Sequence, residues 1–136
     1  LIGGASFIRA YNKDREAWIS QMPSDKWQLG LNWERTSADE MTKWGIGCSV
    51  DHVLKQTRGV SDDYVNAPAS YTITNIEVFM KRILKAHPIH VSLSIENLFD
   101  VSYRDYMNRY RYFADEEGIS FSVRLKKTFG SVDRKN

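Results

Sequence analysis

The chain has 136 residues, the length of one ordinary domain, and its net charge is only +2. A charge this close to zero gives no support to nucleic-acid binding. The sequence has no run of about 18 apolar residues, so no transmembrane helix is expected. Cys48 is the single cysteine, which excludes an internal disulfide bond and a thiolate metal cluster. We expect Cys48 to fill an apolar strand face.

The first half of the chain contains three segments that predict strands. The opening "GASFIRAYN" predicts a strand, but its residues do not show which side chains face inward and which face outward. "WQLGLNWER" alternates strictly and places its tryptophan and leucine residues on one face. "WGIGCSVDH" alternates in the same way. A period of two is the signature of a β-strand, because successive side chains point to opposite faces.

Three further strands follow in the second half. "YTITNIEVFMK" alternates less strictly, because Phe79 falls on the polar side, whereas "HVSLSIE" and "ISFSVRLKKTF" alternate throughout. We interpret the tyrosine- and arginine-rich stretch 101–114 as a loop, although it could form a helical turn. The prediction is therefore an all-β chain, an antiparallel up-and-down meander of about six long strands. They lie near residues 2–11, 24–35, 42–55, 70–82, 89–98 and 118–129.

The connections between these strands alternate between long and short. Outer-membrane barrels have this asymmetry, with short turns on one side and longer external loops on the other. Most predicted strands exceed the ~5–6 residues typical of soluble sheets and match the ~9–11 residues that cross a bilayer. The predicted connections are 12–23, 36–41, 56–69, 83–88 and 99–117.

The polar face of the predicted sheet is rich in charge, which favours a large barrel with a wet interior over a small packed one. A one-residue slip of the last strand would move Arg124 and Lys126 into lipid, at about 2–4 kcal/mol per cation. Lys127 is the exception on the apolar face, and we expect its long side chain to snorkel. Tryptophans near the strand ends and Phe129 fit an aromatic belt, although aromatic residues of an ordinary core remain the alternative. The charged residues predicted to face the interior are Lys26, Glu34, Asp51, Glu96, Arg124 and Lys126.

The stretch "ENLFDVSYRDY", followed by an extended loop and a last strand that ends in Phe129, points to a family. It resembles the C-terminal end of TonB-dependent outer-membrane receptors, whose penultimate strand ends in Asn-Leu-Phe-Asp with a tyrosine shortly after. "MPSDKWQLGLNW" and "NAPASYTITNIEVFM" resemble the proline-containing starts of other strands in that family, and "GGASFIRAYN" resembles the strand before them. The motif residues here are Asn97, Leu98, Phe99, Asp100 and Tyr103.

The resemblance implies that residues 1–129 are the C-terminal segment of a large transmembrane β-barrel in the cell outer membrane, followed by a polar tail at 130–136. Six strands cannot close such a barrel, because the smallest have about eight. The chain starts at Leu1 rather than at Met, and we expect a processed product or a fragment. The implied function is active uptake of a scarce nutrient, with a ferric siderophore expected from the family. The implied partners are outer-membrane lipid, the rest of the barrel and plug, the energy-coupling protein TonB, the barrel-assembly machinery and a small-molecule nutrient.

The motif and the last strand also have expected local roles. We expect Asn97 and Asp100 to support a turn at the external end of the strand through side-chain-to-backbone hydrogen bonds. The family often has Pro-Gly-Arg where this chain has Glu117, Gly118 and Ile119, so the role of that arginine is in doubt here. The residues that resemble the family's assembly signal are Phe121, Val123, Leu125 and Phe129.

The loop "YRDYMNRYRYF" is the candidate for ligand contact, since arginine binds carboxylates through two hydrogen bonds and tyrosine offers rigid amphipathic area. The alternative is that it packs on neighbouring loops. His87 and His90 are too few for a metal site, no nucleophile and base can be paired for catalysis, and no cofactor is expected. A soluble small β-barrel that carries a lipophilic ligand is the alternative function, and it predicts apolar residues facing inward. The candidate ligand-contact residues are Tyr103, Arg104, Tyr106, Arg109, Tyr110, Arg111 and Tyr112.

Overall fold

A computed structural model describes residues 1–19, 21–58, 66–84 and 87–129, and these residues form an all-β chain. Six strands make one antiparallel sheet in the order β1-β4-β5-β6-β7-β8, and β2 pairs with β3 in a separate small hairpin. No α-helix occurs in the described residues, and a single turn of 3₁₀-helix, η1, lies before the last strand. The bounds are β1 Ile2–Ser6, β2 Tyr11–Asn12, β3 Ala17–Trp18, β4 Lys26–Thr36, β5 Thr42–Val53, β6 Tyr71–Leu84, β7 His87–Glu96, η1 Arg109–Tyr112 and β8 Ser120–Lys127.

The predicted antiparallel meander of six strands is confirmed, with differences at both ends of the sheet. The first strand ends at Ser6 rather than near residue 11. Beyond it, Tyr11 packs edge-to-face on Trp18 at 5.3 Å within the β2–β3 hairpin. The side chain of Asn12 accepts hydrogen bonds from two backbone N–H groups of the hairpin turn, which stabilises the turn. At the other end, β8 stops at Lys127, so Phe129 lies just outside the strand.

The hydrogen-bonded register confirms the face that the alternation predicts for five of the six strands. Leu31 pairs with Cys48, Cys48 with Ile76, Ile76 with Ile95 and Ile95 with Phe121 in one row across five strands. Residues directly opposite in an antiparallel ladder point to the same face, so this row is apolar. The register also settles the first strand, because Gly3 and Ala5 pair with Leu29 and Trp27 and therefore share the apolar face. The charged residues predicted for the polar face occupy the alternate rows.

The polar face is concave. A cavity of about 350 Å³ is lined mainly by polar-face residues from β1 to β7, with Gln28 and Asn32 on one side and Ser94 and Glu96 on the other. A single hollow can touch so many strands only if the sheet curls toward this face. The apolar side chains therefore occupy the convex face.

Phe79, the residue that breaks the alternation of β6, lies on the polar face opposite Gly45. A Cβ atom at position 45 would lie 2.5 Å from the carbonyl oxygen of Trp33 and 2.8 Å from the Phe79 ring. The ring therefore occupies space that the glycine leaves open, which is the aromatic cover often found over strand glycines. Its edge also meets the ring of His90 at 5.9 Å.

The connections leave the sheet at two different edges. The β4–β5 turn and the β6–β7 turn are short and join the strands at one end. The three long connections all leave from the opposite ends of the strands, and we call this side of the sheet the long-loop edge. The buried apolar side chains of the described residues, Met22, Ile73 and Tyr106, lie at or near this edge. Elsewhere on the sheet, the large apolar side chains are exposed or half-buried. None of the described helices has the length and apolar character that crossing a membrane would require.

Gly45→Ala should destabilise the sheet by about 1–3 kcal/mol, because the added methyl group must displace backbone or an aromatic ring. Urea unfolding followed by far-UV circular dichroism measures the change. Gly4→Ala is the matched control, since nothing lies within 4 Å of a Cβ built at that strand glycine. Equal midpoints for the two variants would contradict the close approach of Phe79.

Candidate functional site

Asn97 is the junction between the sheet and the last long loop. Its side chain is almost fully buried, at 3% exposure, and its backbone is left-handed with φ of 52°. The side-chain amide donates to the carbonyl oxygens of Val101 at 2.9 Å and Glu117 at 3.3 Å, and its oxygen accepts from the N–H of Val101. The N–H of Asn97 donates to the side chain of Asn75 on β6. One residue therefore ties both ends of the loop to the sheet, and the predicted turn role is confirmed.

Asp100 completes the closure of this loop. It also has a left-handed φ of 52°, and its carboxylate accepts a hydrogen bond from the N–H of Ile119 at 2.9 Å. Gly118 lies so close to this carboxylate that a Cβ atom there would clash with it. The close approach of the Asp100 carboxylate therefore requires glycine at position 118. Leu98 is half-buried and Phe99 is exposed, so only the first of them packs at the rim.

Arg111 organises the interior of the loop. Its guanidinium lies 4.3 Å from the ring centroid of Tyr106 and 4.6 Å from that of Tyr112, and it donates to the Tyr112 hydroxyl at 2.8 Å. Such cation–π contacts stabilise by about 2 kcal/mol where the cation is desolvated. Arg111 and Tyr106 are both buried. These three predicted ligand-contact residues are therefore engaged within the loop.

A second arginine braces the same loop from its outer side. The Nε of Arg104 donates to Asp115 at 2.5 Å, and its Nη1 donates to the carbonyl oxygen of Arg111 at 2.9 Å. Ser102 also donates its hydroxyl to Asp115. The hydrogen bond from Ser102 and the contact with Arg104 lower the pKa of the Asp115 carboxyl. Arg104 is therefore an internal brace rather than a free cation.

Tyr103 anchors the start of the loop over β6. Its ring lies 4.4 Å from the ring of Tyr71, centroid to centroid, and the Tyr71 hydroxyl donates to Asp105 at 2.6 Å. Burial, followed by the nearby Glu116 carboxylate, raises the pKa of Tyr103. Next to this contact, the lining of a depression of about 550 Å³ on the polar face includes three carboxylates, from Asp51, Asp105 and Glu116, and one lysine, Lys26. The sequence did not predict this acidic depression, because its residues come from several separate segments between Ser6 and Glu116.

The tip of the loop presents the exposed members of the predicted set. Arg109 and Tyr110 begin η1, whose first turn is capped by the Asn108 side chain accepting from the N–H of Tyr110 at 2.9 Å. The Tyr110 side chain is 74% exposed and that of Phe113 is 84% exposed. Of the seven predicted contact residues, Arg109 and Tyr110 are thus the ones that the structure presents to a ligand. Phe113, the last residue of the candidate loop, is exposed beside them.

A carboxylate clamp at the long-loop edge was missed by the sequence analysis. Asp25 accepts two hydrogen bonds from Arg9, at 2.6 and 2.8 Å, and two from Arg58, at 2.8 and 3.1 Å. Arg9 follows β1, Asp25 precedes β4, and Arg58 follows β5. Hydrogen bonds from Arg9 and then Arg58 hold the pKa of Asp25 far below its usual range. Close by, Gln56 donates to the carbonyl oxygen of Met22 at 2.6 Å.

The residues of the predicted assembly signal lie on or just beyond β8, the strand at the edge of the sheet. Phe121, Val123 and Leu125 face the apolar side and are 66–75% exposed. Phe129 follows the strand, and the ammonium group of Lys127 lies 4.9 Å from its ring centroid. This contact shows how Lys127 is accommodated on the apolar face. The tail at 130–136 lies outside the described residues.

The histidines give no basis for a metal centre. His87 pairs with Leu84 on the apolar face, whereas His90 pairs with Lys81 on the polar face, so their rings diverge. Across the described residues, no group of three or more His, Cys, Asp and Glu side chains is placed to hold a metal ion.

The chain matches no family model, and neither the curated proteins nor the solved structures include a match to it. Function must therefore be argued from the residues of this chain.

Asp25→Asn should lower the free energy of unfolding at pH 7 by about 2 kcal/mol, because it removes hydrogen bonds between charged groups. The lowered pKa sets the pH window. The contribution of Asp25 is present above the ordinary aspartate pKa of about 3.9 and is lost as the pH falls below it.

Urea unfolding of both proteins at pH 7 and at about pH 3 measures this difference. Asp14→Asn is the matched control, since Asp14 is exposed in the hairpin turn and its carboxylate has no ion pair among the described residues. A pH-independent loss of stability in Asp25→Asn would contradict the clamp.

Proposed function

We propose that the chain is the C-terminal part of the β-barrel of a TonB-dependent outer-membrane receptor, which takes up a scarce nutrient. The observation that carries the proposal is the apolar convex face of the sheet, which no described residue covers. Leu31 is 57% exposed, and Val123 is 75% exposed. An apolar surface this extensive marks a contact with lipid or with another protein. The strands β4 to β7 have 10–14 residues, enough to cross a bilayer at a tilt.

The position of the apolar band along each strand favours lipid. Counted from the long-loop edge, the apolar band runs from Trp27 to Trp33 on β4 and from Ile95 to Ile89 on β7. The register sets Ile95 level with Leu31, which lies beyond Trp27, where the band begins on β4. The band thus shifts by about 14 Å along the strand over three strand spacings of about 4.8 Å each. That slope corresponds to a tilt of about 45°, close to the ~35–45° of transmembrane barrels. A flat lipid slab that crosses tilted strands requires such a diagonal band.

Aromatic pairs mark both borders of the band. Trp27 stacks on His52 with ring centroids 5.1 Å apart, near the long-loop edge. Trp33 meets Trp44 edge-to-face at 5.0 Å, near the short turns. Transmembrane barrels carry aromatic girdles at the two interfaces, where amphipathic rings bridge lipid and water.

The concave polar face supports a wet lumen. The register places mostly amide, hydroxyl and charged side chains on this face, and in a large barrel such groups stay hydrated. A small carrier of a lipophilic ligand requires apolar side chains on the concave face. The observed polarity therefore favours the receptor over the alternative carrier.

The motif residues support this particular receptor family. Asn97 and Asp100 hold the base of the last long loop with the left-handed turns and side-chain bonds described above. The motif follows β7, the strand before the last one, and the resemblance implies that this end of the strand is external. Outer-membrane lipid, the remaining barrel and plug, TonB and the barrel-assembly machinery are the partners that this proposal implies.

The expected cargo is an iron chelate, a ferric siderophore. Arg109, Tyr110 and Phe113 at the loop tip combine a cation with exposed aromatic area, which suits an anionic, ring-containing chelate. The depression beneath the loop is acidic, so an anionic chelate is expected at the tip rather than there.

The reading frame upstream of Leu1 in the source DNA tests the proposal. We expect it to continue through further alternating strands to a plug domain and a signal peptide, because six strands cannot close a barrel. A start codon or signal peptide immediately before Leu1 would overturn the receptor proposal and favour the carrier.

Val123→Arg should impair membrane insertion of the parent protein more than Ser122→Arg does, because only position 123 faces the apolar side. A cation at mid-bilayer costs about 2–4 kcal/mol, whereas one facing a wet lumen costs little. The yield of folded protein in outer-membrane fractions measures the effect. Equal yields from these neighbouring arginine variants would mean that the apolar face does not meet lipid.

A further inference from the structure

The register of the sheet places four basic side chains in one row on the polar face, near the short turns. Lys43 on β5 pairs with Lys81 on β6, Lys81 with His90 on β7, and His90 with Lys126 on β8. Directly opposite side chains have Cβ atoms about 4.5–5.5 Å apart, and like charges there repel. A row of this kind is destabilising unless a counter-charge accompanies it.

Only one end of the row has such a counter-charge. Lys43 forms an ion pair with Glu34 on the neighbouring strand β4. Among residues 1–19, 21–58, 66–84 and 87–129, no carboxylate forms an ion pair with Lys81, His90 or Lys126. The described part of the chain therefore leaves these three residues without a neutralising acid.

The same three residues line one cavity of about 270 Å³, and Pro88 and Thr128 complete its wall. This volume lies just below the ~300–1,000 Å³ of pockets for drug-sized ligands. Two ammonium groups, an imidazole and a hydroxyl group offer several hydrogen-bond donors around the cavity. Hydrogen bonds from charged donors to oxyanions are among the stronger ones in proteins.

We propose that Lys81, His90 and Lys126 form a binding site for a small multivalent oxyanion, of the size of a phosphate or pyrophosphate group. The small cavity favours such a group over a folded acidic segment. The site follows from strand register and cavity lining, so it does not depend on the receptor proposal. Its position near the short turns separates it from the loop tip, where cargo contact is expected.

Isothermal titration of the 136-residue chain with pyrophosphate tests the site, in a non-phosphate buffer of low ionic strength and in maltoside micelles. Lys126→Gln and Lys81→Gln should each weaken binding about tenfold or more, because each removes one charged donor. His90→Gln should weaken it as well, and raising the salt concentration should weaken binding to the unmodified chain. Far-UV circular dichroism confirms that each variant keeps the sheet.

Lys26→Gln is the matched control, since Lys26 is a lysine on the same polar face at the opposite edge of the sheet. This variant should bind pyrophosphate as the unmodified chain does. Absence of binding heat in the unmodified chain, or equal weakening by Lys26→Gln and Lys126→Gln, would overturn the proposal.

A second arm identifies the source of the phosphate group. Phosphatidylglycerol is added to the micelles before the pyrophosphate titration. If phosphatidylglycerol abolishes pyrophosphate binding to the unmodified chain, the lysine site takes a lipid headgroup. If pyrophosphate binding is unchanged by the lipid, the site takes a free oxyanion.

Discussion

The uncovered apolar face of the sheet is the constraint on which the rest of the structure depends. Removing apolar surface from water stabilises a protein by about 25 cal/mol per Å². An exposed face this large therefore requires a cover of lipid or of protein. The sheet has no second layer in the described residues, and its strands are held by their hydrogen-bonded register. In the proposed receptor, the diagonal course of the apolar band and the aromatic pairs at its borders would both match one environment, a lipid slab crossed by tilted strands.

The packed part of the molecule lies at the long-loop edge, where charged and polar groups hold three loops in place. Asp25 joins the loops after β1 and β5, and Asn97 closes the loop between β7 and β8. Arg111 then organises that last loop from inside, with aromatic rings on either side. Because these groups are engaged with one another, they hold the base of the loop, and Arg109 and Tyr110 lie exposed at its tip. Positioned residues of this kind lose less entropy when a ligand binds.

Charge on the concave face is divided between its two edges. Carboxylates such as Asp51 and Asp105 line the depression at the long-loop edge. Lys81, His90 and Lys126 form the basic row near the short turns. In a barrel lumen this division would give the two mouths opposite potentials, and it would direct ligands of different charge to different ends. The loop-tip proposal and the oxyanion proposal concern these separate regions.

The sequence by itself determined the six strands, the face of five of them and the turn role of Asn97, because a period of two and local side-chain-to-backbone bonds act over short distances. The tertiary structure decided the face of β1, since pairing with β4 orients Gly3 and Ala5. It also decided which candidate residues are free to meet a ligand, because the fold of the loop brings Arg104 to Asp115 and Arg111 to Tyr106. The Asp25 clamp and the basic row escaped prediction for the same reason. Each unites residues far apart in the chain, and only the register and the folded loops bring them together.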